Sequence, residues 1–264
     1  MKYYLLKFLS YFNIGLIRFH QPERLINFLD SIKIYDCGYD LIRYGEKNDG
    51  GYLVPDIMDQ IKYLFSAGVG ITTKFEDDIA SKHNTKNYFI DFSVDLDLKK
   101  YHFTKKKVSY FNDDKNTTLE NWINSCLKAE ADIDSTNLML SLDIESYEIE
   151  SFLTMSDSLL KKFKVIVVEF HDFGGLKNEV GLKIYEIIFE KLKKYFHICH
   201  IHPVNNCYKY NFKGKVIPNV MEFTFINKLS AKHNKKISYD MPHKNDSISN
   251  TSYKEIVLPS YFYK

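Results

Sequence analysis

At 264 residues, with 45% hydrophobic and 27% charged side chains, the chain can bury a sizeable core as one large α/β domain or two small ones. Its 36 basic and 34 acidic residues leave a formal charge of +2, which excludes a global attraction to nucleic acid or anionic lipid and leaves only local charge to act. Four scattered cysteines, Cys37, Cys126, Cys199 and Cys207, form no CxxC pair, so neither a zinc ribbon nor a disulfide framework is expected.

Residues 1 to 19, MKYYLLKFLSYFNIGLIRF, are apolar and aromatic but interrupted by Lys7 and Asn13, and no small-residue cleavage site follows. A transmembrane or secreted reading is weak, and a cytoplasmic protein is expected. The segment reads as a packed helix, a lid or a homodimer contact, with an interfacial helix giving weak peripheral membrane association as the alternative. It opens a first unit, 1 to 42, followed by a core over 43 to 228 and a loop and docking tail over 229 to 264.

Strands are predicted near 61 to 66, 87 to 91, 107 to 111, 137 to 143, 164 to 170, 196 to 202 and 219 to 227. Helices are predicted over 73 to 82, 117 to 129, 147 to 161 and 179 to 194, two of them opened by capping boxes, Thr73 with Glu76 and Thr117 with Glu120. Alternating strands and helices imply consecutive βα units and a mostly parallel sheet. The run VMEFTFINK follows its predecessor through Gly214 and Pro218 with no room for a helix, so the last strand is antiparallel. The fold class is therefore α/β and Rossmann-like: seven strands, the last reversed, with helices on both faces. Residues 228 to 252 read as loop, and the apolar 253 to 264 as a segment that docks on the body.

In LFSAGVGITTKFEDD, a strand runs into Gly68 and Gly70 and then a helix start, the layout of a nucleotide-binding turn. Thr73 stands where a dinucleotide fingerprint has its third glycine, which weakens the case for a pyrophosphate-bearing nicotinamide cofactor. Asp91, in FIDFSVD at the end of the next strand, is placed to accept the ribose hydroxyls of an adenosine moiety, and Asn112 and Asp113 are candidates for adenine contacts. A nicotinamide-dependent oxidoreductase would use the same glycines and Asp91.

At the following strand ends, polar residues replace aliphatics. LMLSLDIES delivers Asp143 and Glu145 to one face, VIVVEFHDF delivers Glu169 and His171, and HICHIHPVNN delivers His200 and His202. Carboxylates and imidazoles converging on one sheet rim form either a general acid/base cluster or an oxygen/nitrogen divalent-metal site.

These blocks resemble the FkbM-type methyltransferases, a branch of the class I S-adenosylmethionine-dependent fold that often modifies sugar hydroxyls. The resemblance spans roughly residues 43 to 228 and rests on RYGEKNDGGYLVP, FSAGVGITTKFEDDIA, FIDFSVD, LMLSLDIESYEIESFL, VVEFHDF, HIHPVNNC and IPNVMEFTFINK. It implies S-adenosylmethionine held by Gly68, Gly70 and Asp91, with the DGGY stretch, Asp49 and Gly50 included, closing nearby. Asp143, Glu169 and His202 would face the acceptor, a hydroxyl of a nucleotide-activated sugar or surface-glycan precursor. Where the family's Asp-x-Glu-Gly-x-Glu signature has glycine, this chain has Ser146, leaving the role of Glu145 less secure and a non-catalytic descendant of the fold as one rival. His202, or alternatively His171 or His200, would remove the acceptor proton. In a variant of the same expectation, Asp143, Glu169 and His202 hold a divalent Mg, Mn or Fe ion that acidifies the acceptor oxygen.

Overall fold

The computed structural model describes residues 2–12, 14, 22–70, 72–97, 100–212, 214–237 and 239–263. The remainder of the predicted apolar segment 1 to 19 lies outside them.

Seven strands build the central sheet: β1 Tyr63–Ala67, β2 Lys86–Ile90, β3 His102–Thr104, β4 Leu138–Leu142, β5 Phe163–Phe170, β6 Phe196–Pro203 and β7 Met221–Asn227. Their spatial order is β6-β7-β5-β4-β1-β2-β3. All run parallel except β7, which is inserted antiparallel between β5 and β6. This is the Rossmann-like α/β arrangement expected from the alternation of elements, with the last strand reversed and the carboxyl edge available to a ligand.

The helices are α1 Lys2–Tyr11, α2 Pro22–Ser31, α3 Lys74–Lys82, α4 Leu119–Ala129, α5 Glu148–Thr154, α6 Asp157–Leu160 and α7 Glu179–Tyr195. In α7 the side chains Leu182, Tyr185, Ile188, Phe189 and Leu192 are all buried, the spacing of a single helical face. They pack with α2, α4, α5 and α6 on the sheet face that carries Phe170, Phe223 and Phe225. The opposite face, with Leu64, Met139, Val165, Val167 and Ile226, is covered differently. There α3 contributes Phe75 and Ile79, and an antiparallel hairpin, Leu41–Gly45 with Gly51–Pro55, lays Tyr44, Tyr52, Leu53 and Val54 against the strands. The buried Thr224 hydroxyl donates to Leu53 O at 2.8 Å and ties the hairpin to β7. Leu258, Phe262 and Tyr263 pack against the first face.

Several boundaries differ from expectation. The third sheet strand is His102–Thr104, whereas Lys107–Val108, inside the predicted 107 to 111, turns away to pair with Asn116–Thr117. The predicted helix over 147 to 161 is two helices, because Ser156 leaves the helical path, caps α6 through Leu159 N–H and is held by the Glu120 carboxylate. That contact also removes the second predicted capping box: Glu120 is spent on Ser156, and the helix cap is Thr118, which accepts from Asn121 N–H. The first box fails because Thr73 donates to Asp77 instead of capping, while Glu76 points into the core and accepts from Ser66 of β1 at 2.5 Å. Finally, the described side chains of α1 are largely exposed, with Tyr4, Phe8 and Tyr11 at 74%, 62% and 84%. The place against the core is taken by α2, through Leu25, Phe28, Leu29 and Ile32.

Burial raises the Glu76 carboxyl to about 7, the Ser66 bond only partly opposing it. The folded chain thus holds this proton up to about pH 7, whereas an unfolded chain releases it near 4.5, so stability falls as pH rises between those values. Glu76→Gln, which keeps an acceptor for Ser66, is expected to raise stability above pH 7 by on the order of 2 kcal/mol and to change little near pH 4. Urea unfolding at the two pH values checks this, and equal effects at both would contradict it.

Candidate active site

The glycine turn is held by packing as much as by conformation. Gly68 has φ +80°, and a Cβ there would lie 1.5 Å from the carbonyl oxygen of Asp143. The two strand ends are further joined by Asp143 N–H donating to Ala67 O at 3.0 Å. Gly70, with φ +58°, faces open space, so there the requirement is the left-handed backbone alone.

A cavity of about 230 Å³ opens beside this contact. It is lined by Gly68, Asp91 and Ser93, by Asp143, Glu145 and Tyr147, by the apolar Phe92, Val108 and Ile144, and by Lys106 and Lys107. Asp91 is anchored to the turn: its Oδ2 accepts from Val69 N–H, and its Oδ1 accepts from Ser93 N–H, Ser93 Oγ and Val94 N–H. Burial pushes the Asp91 carboxyl up, but these bonds outweigh it and leave the group below its ordinary range. With Oδ1 taken by the chain itself, Oδ2 keeps the open lone pair for an incoming hydroxyl.

At the other end, four carboxylates surround His171. Its Nε2 lies 3.3 Å from Glu145, 3.4 Å from Glu169 and 3.9 Å from Asp143, and its Nδ1 lies 3.2 Å from Glu148. The wholly buried Glu148 also accepts Ile144 N–H at 2.9 Å, so one carboxylate fixes both the imidazole and the backbone of the acid loop. Burial alone would lower the His171 pKa. The Glu148 hydrogen bond and the charges of Glu148, Asp143 and Glu145 prevail and raise it to about 9. Burial raises Asp143 to about 7, with His171 opposing and the nearby carboxylates reinforcing the rise. Glu169, 6% exposed, is lifted well above its usual range, first by burial and then by Asp143 and Glu222; its Oε2 has no hydrogen-bond partner. At neutral pH the cluster holds a charged imidazolium and an Asp143 poised near half-ionisation, beside a Glu169 that holds its proton more tightly than an ordinary carboxyl.

His202 lies apart from this cluster. Across the sheet it pairs with Glu222, which pairs in turn with Glu169, so β7 inserts a residue between two side chains that chain order makes neighbours. Two strand spacings amount to roughly 10 Å. His202, 4% exposed, instead forms an ion pair with Glu222 at 3.3 Å, and His200 meets Asp246 at 2.9 Å. A ligand set of Asp143, Glu169 and His202 is therefore not assembled. The set whose donor atoms all lie within 4.8 Å of one another is Asp143, Glu145 and His171.

The remaining predicted residues have other partners. Asn112 accepts from Thr117 Oγ1 and Thr118 N–H, and Asp113 accepts from Lys115 and Asn116 N–H, so both side chains build the turn and neither lines the cavity. Asp49 stands at the hairpin tip, where its N–H donates to Ser249 O and its carboxylate accepts Gly50 N–H at 3.0 Å. Gly50 has φ +77° and approaches Thr72. Sequence reasoning gave no role to Glu148 or Glu222. Glu148 is the final glutamate of the resembled signature, and Glu222 is the one carboxylate in an otherwise apolar strand, so both were visible as exceptions to a core pattern. A second cavity, about 730 Å³, lies between the base of the hairpin and residues 239–245 and contains none of these groups.

Ser146 occupies the signature's glycine position with φ +80°, next to Glu145 at φ +53°. Its hydroxyl donates to Asp172 at 2.9 Å, a local bond that helps hold a conformation costing about 1 kcal/mol for a residue with a Cβ.

Two substitution sets check these constraints by thermal unfolding. Gly68→Ala is expected to cost at least about 3 kcal/mol, because the added methyl meets backbone rather than a movable side chain; an unchanged melting temperature would show that the contact is not required. Ser146→Gly should be at least as stable as the parent, while Ser146→Val, branched in the left-handed region, should melt several degrees lower. The reverse ranking would contradict the bracing role given to this turn.

No protein-family model and no curated protein matches the chain. Among solved structures, a chain of the crystal structure of a fibrillarin/Nop5p complex is similar at 9% identity, covering 74% of this chain and 98% of that one with a TM-score of 0.35. A likeness this loose carries no functional argument.

Proposed function

We propose that the chain is an S-adenosylmethionine-dependent O-methyltransferase acting on a hydroxyl of a sugar, either a nucleotide-activated sugar or a surface-glycan precursor. The observation that carries the reading is that Gly68, Asp91, Asp143 and Glu145 line one cavity. Asp91 suits the ribose of a nucleoside, and the Asp143 and Glu145 carboxylates suit a cationic group attached to it. A sulfonium is such a group. Lys106 and Lys107 also line the cavity, so the preference for a sulfonium over a pyrophosphate-bearing nicotinamide dinucleotide rests on Asp143 and Glu145 and on Thr73 in place of a third fingerprint glycine. The sugar specificity rests on the resemblance of the sequence blocks to FkbM-type enzymes.

S-adenosylmethionine would supply a methyl group already activated for displacement. The protein's part is alignment and removal of the acceptor proton. Asp91 Oδ2 binds ribose, the apolar walls Phe92, Val108 and Ile144 receive the base, and the carboxylates of the acid loop offset the positive charge. Asp143, at the cavity mouth with a pKa near 7, is the general base. His171, protonated up to about pH 9, keeps the surrounding carboxylates in place. This assignment moves the base from His202, which is held by Glu222 one strand away from the cluster.

A metal-assisted version is favoured by one observation, the one-nitrogen, two-oxygen set of Asp143, Glu145 and His171. These residues would hold a Mg, Mn or Fe ion, which would lower the pKa of the acceptor hydroxyl. Binding would displace the His171 proton, so metal affinity should increase with pH toward 9.

Methyl transfer to a panel of nucleotide-activated sugars, read by mass spectrometry across pH, tests both. Turnover is expected to rise through about pH 7 as Asp143 ionises, and Asp143→Asn should lose 10²- to 10⁴-fold in kcat and abolish that limb. A limb near pH 9 surviving in Asp143→Asn would assign the base to His171 instead. Exhaustive chelation that leaves turnover unchanged removes the metal version. Hydride transfer to or from a nicotinamide cofactor would overturn the methyltransferase reading.

A further inference from the structure

Helix α1 is an apolar element with no place in the core. At 100° per residue, Tyr4, Leu5, Phe8, Tyr11 and Phe12 fall within an arc of about 120°, with Ser10 and the less exposed Leu6 opposite and Lys7 at the flank. All five are exposed: Phe12 at 57% and Leu5 at 50% join the exposed rings of Tyr4, Phe8 and Tyr11. Phe8 packs edge-on against Phe12 at 5.3 Å between ring centres, and Tyr11 meets Phe12 at 5.4 Å, so the rings form one contiguous patch. A patch of this kind on a folded chain marks a contact surface.

Charge identifies the occupant. Residues 1 to 21 contain Lys2, Lys7 and Arg18 and no Asp or Glu, in a chain whose basic and acidic residues otherwise nearly balance. The apolar arc is therefore accompanied by positive charge alone, a combination that matches an anionic lipid surface. A second copy of this chain fits less well, because it would bring like charges together. A ten-residue helix, about 15 Å long and 10 Å across, also presents roughly 250 Å² on one side, against about 800 Å² per partner in a stable interface. No helix among the described residues is long and apolar enough to cross a membrane, so the contact is an interfacial one.

We infer that α1 lies in the headgroup layer of an anionic membrane, with Tyr4, Leu5, Phe8, Tyr11 and Phe12 inserted and Lys7 facing lipid phosphates. The inference is independent of the catalytic reading, since none of these residues belongs to the site.

Co-sedimentation of the full chain with vesicles tests it, using an equal mixture of phosphatidylglycerol and phosphatidylcholine against phosphatidylcholine alone. Binding to the anionic vesicles is expected, weakened by high salt and by K7E, and reduced about tenfold or more in the double variant F8S/F12S. The variants should keep the parent melting temperature, because the altered side chains are exposed. Absence of binding to anionic vesicles, or binding unaffected by F8S/F12S, overturns the inference. So does a dimer in solution that F8S/F12S dissolves while the parent leaves vesicles unbound.

Discussion

The close approach of Gly68 to the backbone of Asp143 is the constraint on which the site depends. Only a residue without a Cβ lets the turn after β1 touch the end of β4, and the hydrogen bond from Asp143 N–H to Ala67 O holds the two strand ends in register. Through that contact a glycine turn and an acid loop, separated by more than seventy residues of chain, become two walls of one cavity. The hydrogen bonds around Asp91 extend the same framework to β2, because Val69 N–H, in the turn itself, is one of its donors.

Electrostatics then divides the rim into groups with different tasks. Six carboxylates, from Asp49, Asp143, Glu145, Glu148, Glu169 and Glu222, bear on the acid loop and its surroundings, and one imidazolium, His171, compensates within it. Burial and mutual repulsion act on their ionisation: Glu169 is raised well above the usual carboxylate range, while Asp143 approaches balance near pH 7. An apolar edge around such a cluster would suppress ionisation altogether, and an open one would leave ordinary carboxylates. The intermediate environment, half-exposed at Asp143 and closed at Glu148 and Glu169, is what produces a base next to a fixed acid.

The parallel sheet, the reversed last strand and the glycine turn were legible because each follows from local pattern: strand periodicity, a linker too short for a helix, and paired glycines before a helix start. What was not legible is lateral order. Asp143, Glu169 and His202 do lie along one sheet edge, but β7, last in the chain, enters between β5 and β6, so Glu222 separates His202 from the others. The same limit affected side chains whose partners are distant in sequence. Glu76 and Glu120 have the spacing of capping residues, yet Ser66 and Ser156 claim them. Asn112 and Asp113 looked like ligand contacts and are consumed by their own turn. At Ser146 the sequence departure was visible and its consequence was not: the residue keeps the left-handed backbone of a glycine with help from Asp172.

The central claim is that one cavity binds a nucleoside carrying a positive charge. It is tested most directly by calorimetric titration of the chain with S-adenosylmethionine and, separately, with NAD, in the parent and in Asp91→Ala. The account predicts saturable binding of S-adenosylmethionine that is lost or weakened at least tenfold in Asp91→Ala, with no binding of NAD over the same range. Binding of NAD in preference to S-adenosylmethionine, or S-adenosylmethionine binding indifferent to Asp91, would contradict it.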